Sequence, residues 1–102
     1  MKKSYQLVLV FSIMLLSVGC MLDPYAGFDY DPDYPKAGET VYFYEYCDNA
    51  KTFEWDFGDG SGSTSADPQH VYSTAGTYLV TLTIYSGRGE SDYSSESIEI
   101  EP

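Results

Sequence analysis

The chain has 102 residues, enough for one domain, with 16 acids against five bases and a formal net charge of −11. After the first twenty residues only Lys36, Lys51 and Arg88 remain against all the acids, which disfavours nucleic acid and anionic headgroups as partners. Aromatic residues make up 17% of the chain, 11 of them Tyr, which excludes an acidic disordered chain and suits a small β domain.

The amino terminus reads as an address. Lys2 and Lys3 form a positive opening, and residues 7–16 are an apolar run broken only by Ser12. Small residues then precede Cys20, in signal-peptide order. The apolar run is shorter than the ~20 residues a membrane-spanning helix needs. Leu16-Ser17-Val18-Gly19-Cys20 resembles the lipobox of bacterial lipoproteins, with Ser17 where Leu is usual. The resemblance implies cleavage after residue 19 and acylation of Cys20. It also implies passage to an outer membrane, where the cell has one, because Met21 replaces the retaining Asp. Acylation would leave Cys47 without an intramolecular partner. Residues 20–24 then form a lipidated tether that reaches less than about 20 Å.

The domain proper is expected over 25–102. Residues 25–32 alternate, with Ala26, Phe28 and Tyr30 on one face and Asp29 and Asp31 on the other. Pro32 makes this an edge strand. Residues 40–46 form a second strand, with Val41 and Phe43 inward and Tyr42, Tyr44 and Tyr46 outward. Residues 52–57 form a third, with Phe53, Trp55 and Phe57 inward. The stretch 58–68 contains no large apolar residue and reads as a loop, before a short extended piece at 70–72. Residues 77–85 alternate most cleanly, with Tyr78, Val80, Leu82 and Ile84 inward. A hairpin at 86–89 leads to a last strand with Ile98 and Ile100 inward. Short strands at these intervals predict an all-β antiparallel sandwich of about seven strands.

Trp55-Asp56-Phe57-Gly58-Asp59-Gly60-Ser61 closes the third strand with an acidic turn. With 38–43, 67–72 and 75–82 it resembles the PKD domain, an immunoglobulin-like β-sandwich of extracellular proteins. The likeness covers about 26–100. It implies an interaction role and no catalytic residues, and it fixes no ligand.

The residues that look chemical read better as structure. Asp59, between two glycines, suits a turn that bonds its own backbone. Asp29, Asp31 and Asp33 lack the glycine and distal Glu of a calcium loop, so no metal is expected. Glu54 and Asp56 share a strand face but lie on a flat sheet without a cleft. His70 lies in a structural Gln-His-Val-Tyr stretch, and a Ser-His-Asp site has the inventory but no motif. No cofactor is expected.

Tyr42, Tyr44 and Tyr46 present one outward row. This row reads either as cross-strand packing or as an aromatic platform for a glycan or protein. The expected function is a lipid-anchored, extracytoplasmic, non-catalytic binding module at the cell envelope, for protein or polysaccharide. The alternative is a structural spacer without a ligand of its own.

Overall fold

A computed structural model describes residues 23–102. The signal-peptide and Cys20 expectations lie outside the described residues. Seven strands follow in order: β1 (Phe28–Asp31), β2 (Thr40–Glu45), β3 (Thr52–Asp56), β4 (Gly62–Ser63), β5 (Gln69–Val71), β6 (Gly76–Tyr85) and β7 (Ser91–Ile100). They form two antiparallel sheets, β1-β2-β5 and β4-β3-β6-β7, packed as a β-sandwich.

Period-two alternation places the core where the sequence predicted it. Phe28, Val41 and Phe43 come from the first sheet. Trp55, Val80, Leu82, Ile84, Ile98 and Ile100 come from the second, and all are buried. Phe57 and Tyr72, each just beyond a strand end, complete the cluster, and Tyr30, Phe53 and Tyr78 pack against it. Trp55 is central. Its ring meets Phe28 edge-on at 5.1 Å, Phe43 at 5.4 Å and Phe57 at 6.1 Å. The edge-on and tilted contacts with Phe28 and Phe43 suit the ring quadrupoles, and Phe57 stacks on the third side.

Several boundaries shift by one residue, with β2 ending at Glu45 just short of Tyr46 and β3 at Asp56, and two differences are larger. The first strand spans Phe28–Asp31, not 25–32. The Ala26 N–H donates to the Asp92 carboxylate at 2.9 Å in place of a ladder carbonyl, so regular pairing starts later. Tyr25 still bridges Asp48, and Ala26 is buried as its parity required. The 58–68 loop contains β4, in which Ser63 pairs with Trp55 and Gly62 with Asp56. Backbone pairing alone forms that strand, so no apolar pattern could announce it.

The 25–28 segment, the 46–51 loop and the 86–90 hairpin share one end of the sandwich. The other end holds the 58–61 turn, and there Lys36 bridges Glu101 in parallel.

Candidate functional site

Two sets of polar and aromatic residues were singled out by sequence, and the sandwich separates them. The first is the acidic turn after β3. Asp56 accepts from the Gly58 N–H at 2.9 Å, and Asp59 accepts from the Ser61 N–H at 3.1 Å. Each carboxylate thus fixes the backbone two residues on. Gly58 has φ +85°, and a Cβ there would lie 2.5 Å from the Leu79 carbonyl oxygen, so the turn needs glycine.

Sequence reasoning missed one link. Asp59 reaches across to His70 of β5, Oδ2 to Nε2 at 2.7 Å. Ser61 Oγ lies 3.3 Å from the same Nε2 and donates to Asp59 Oδ1. The His70 ring stacks on Phe57 at 4.3 Å and meets Tyr72 edge-on at 4.6 Å. The Tyr72 hydroxyl donates to the Phe57 carbonyl at 2.8 Å. The only signal was that one His and one turn Asp both fell in motif stretches. Their partnership spans 11 residues and two sheets.

Ser, His and Asp therefore do converge, but not as a catalytic relay. A relay needs the carboxylate on one ring nitrogen and the serine on the other. Here both approach Nε2, and the serine proton points to the carboxylate. Burial raises the Asp59 pKa, but hydrogen bonds from Ser61 and His70 and the His70 charge outweigh it, so the net shift is downward. Burial, then the nearby Asp59, pushes the Tyr72 phenol well up, so it remains a donor. The arrangement clasps the two sheets together.

The second set is the outer face of the β1-β2-β5 sheet. Tyr42, Tyr44 and Tyr46 are 48%, 44% and 57% exposed. Register places Asp31 opposite Tyr42 and Asp29 opposite Tyr44. Tyr46 lies over Gly27, where a Cβ would come within 2.3 Å of its ring. The Tyr46 N–H donates to the Gly27 carbonyl at 3.0 Å. The Tyr44 phenol is shifted up by desolvation and then by Asp29, Asp31 and Asp33.

The other candidates are accounted for locally. Glu54 and Asp56 sit on the exposed face of β3, with Asp56 engaged in its turn. Among the described residues no three His, Cys, Asp or Glu side chains are placed to hold a metal. Cys47 is a free, half-buried thiol whose S–H donates to the Gly27 carbonyl at 3.5 Å. Burial pushes the thiol pKa up, with Glu45 and Asp48 adding to it, so the thiol is a poor nucleophile. The end loops form an open cleft lined by Asn49–Lys51 and Ser86–Arg88, where Arg88 is already paired with Glu90 at 2.8 Å.

A family model described as "PKD domain" matches residues 30–101. The chain is similar to the pre-pro-metalloprotease PrtV of Vibrio cholerae, 42% identical over 53 residues, covering 52% of this chain and 6% of that protein. It is similar to collagenase ColA of Bacillus cereus, 41% identical over 49 residues, covering 48% of this chain and 5% of that protein. It thus matches a small part of each curated relative. Among solved structures, the PKD1 domain of the Vibrio cholerae metalloprotease PrtV superposes with a TM-score of 0.70 at 31% identity, covering 78% of this chain and 99% of that one. A structure described for carbohydrate-binding modules of the β-sandwich superfamily gives 0.72 at 29% identity, covering 78% and 34%.

Proposed function

The chain belongs to the PKD domain family, and from that premise we propose that it acts as a non-catalytic interaction module for protein or polysaccharide at the cell envelope. The observation that carries the reading is the exposed row of Tyr42, Tyr44 and Tyr46 on an otherwise ordered sheet face. Three aromatic rings left in water along β2 and just past its end cost solvation, and a partner that covers them recovers it. The separation of this face from the Asp59–His70 clasp supports a division of roles, with the clasp holding the fold and the face open to a partner. The clasp's geometry does not suit a nucleophile, which favours a non-catalytic role.

The rest of the reading comes from sequence. Residues 1–19 are a lipoprotein signal peptide and 20–24 a tether acylated at Cys20, carrying the 25–102 sandwich on the extracytoplasmic side. Of the described residues, no helix is long and apolar enough to cross a membrane. In this reading the acyl chains on Cys20 supply the hold on the membrane. Two experiments test the proposal. Mass spectrometry of the mature protein should find a diacylated or triacylated Cys20 as residue one; a chain that retains residues 1–19 refutes the anchor. Changing all three tyrosines to Ser should abolish saturable capture of an envelope protein or glycan. Unchanged capture refutes the platform, and the absence of any saturable capture by the wild type leaves the spacer reading.

A further inference from the structure

We propose that the outer face of the β1-β2-β5 sheet binds an extended polypeptide bearing Lys or Arg side chains, whose cations lie on Tyr42, Tyr44 and Tyr46 and pair with Asp29 and Asp31. This rests on the reading of the tyrosine row as a binding face and adds the chemistry of its ligand.

The first argument is charge complementarity. Asp29 and Asp31 sit directly across from Tyr44 and Tyr42, on the same face as the rings. Among the described residues no base forms an ion pair with either. Lys36 lies at the end of the sandwich where it bridges Glu101, and Lys51 and Arg88 line the cleft between the opposite end loops. The charged residues that β1 sets beside the tyrosine row, Asp29 and Asp31, are both negative. The Tyr44 phenol is raised by desolvation first and then by Asp29, Asp31 and Asp33, in keeping with that negative charge. An anionic glycan is repelled, and a neutral sugar gains ring contact and hydroxyl-to-carboxylate hydrogen bonds but no charge pairing. An ammonium or guanidinium gains both the negative ring face and the carboxylates.

The second argument is spacing. Alternate residues of β2 lie about 6.6–6.8 Å apart, which is also the spacing of alternate side chains on an extended peptide. A strand carrying a cation at every second residue would match the row ring for ring. The third is preorganisation. Gly27 provides the flat seat on which the Tyr46 ring rests, so less side-chain freedom remains to be lost on binding.

The test is calorimetric titration of the purified protein with an extended peptide of alternating Arg and Thr, and with its Gln-for-Arg counterpart. The Arg peptide should bind saturably at one site and the Gln peptide should not. Binding should weaken as salt shortens the screening length from about 8 Å to about 3 Å. Tyr42→Ser/Tyr44→Ser/Tyr46→Ser and Asp29→Asn/Asp31→Asn should each lower affinity about tenfold or more. Glu54→Gln/Glu99→Gln removes the same charge from the other sheet and should change it less than about twofold. Unchanged circular dichroism spectra would establish that the variants remain folded.

Equal effects of the two acid pairs would reduce the attraction to net charge and overturn the inference, as would equal binding of both peptides. Tyrosine-dependent binding of a neutral oligosaccharide, with no response to the Arg peptide, would overturn it while the platform itself stands. A face that binds no probe and captures no envelope partner ends both.

Discussion

Trp55→Ala is the sharpest test of how the sandwich is held together. Trp55 is 4% exposed and its ring contacts Phe28, Phe43 and Phe57, so it joins both sheets. Its indole N–H also donates to the Ser65 carbonyl at 2.8 Å, tying the 58–68 segment to the core. Truncation removes a large apolar surface and leaves a cavity that rigid neighbouring rings close poorly. The expected cost is about 3–5 kcal/mol. A domain of this size has a total stability of only about 4–12 kcal/mol, so the loss is about a quarter of it or more. The lowered hydrogen-bond count adds little, because the Ser65 carbonyl can turn to water. Urea denaturation followed by far-ultraviolet circular dichroism is the assay, since the variant has no tryptophan fluorescence. A midpoint shift worth less than about 1 kcal/mol would show that the ring does not anchor the core.

Three further outcomes follow from the same geometry. Tyr72→Phe leaves the Phe57 carbonyl without its buried partner and should destabilise by about 1–3 kcal/mol; an unchanged urea midpoint would contradict the bond. Asp59 has a native pKa below its ordinary 3.8, so its contribution is full above that value and is lost as pH falls through the native one. Asp59→Asn should therefore flatten the fall in urea midpoint below about pH 4, and an identical slope in both proteins would exclude the clasp as its source. Gly27→Ala places a methyl against the Tyr46 ring and displaces it from its seat toward solvent. Stability should change by less than about 1 kcal/mol while partner binding weakens, and a variant that binds as wild type would show that the seat of Tyr46 is irrelevant.

The faces of the strands were legible in the sequence because alternation is a local property. Val41 and Phe43 against Tyr42 and Tyr44, or Val80 and Leu82 against Leu79 and Thr81, need only the period of two to be sorted. What was not legible depends on which strands become neighbours. The Ala26–Asp92 bond delays the first strand and joins residues 66 apart. The two-residue strand at Gly62–Ser63 exists only because β3 offers an edge. The Asp59–His70 contact requires that a turn from one sheet meet a strand of the other. At the candidate site, the tyrosine row was readable from one strand. The carboxylates beside it and the glycine beneath Tyr46 became part of the face only once the β1–β2 register was known.

That distinction explains why the most recognisable stretch is a poor guide to the business end. Every polar group in 55–61 that looked like chemistry is engaged in the chain's own turn or clasp. Asp56 holds Gly58, Asp59 holds Ser61 and His70, and the Trp55 indole holds Ser65. Groups so engaged have little capacity left for a ligand, and displacing them would loosen the junction of the two sheets. The Tyr42, Tyr44 and Tyr46 rings are under no such demand, because the core beneath them is filled by Val41 and Phe43 from the same strand. If that face is the binding surface proposed above, substitution there alters recognition at little cost to folding. A fold that separates the two tasks in this way can keep its signature and change its partner.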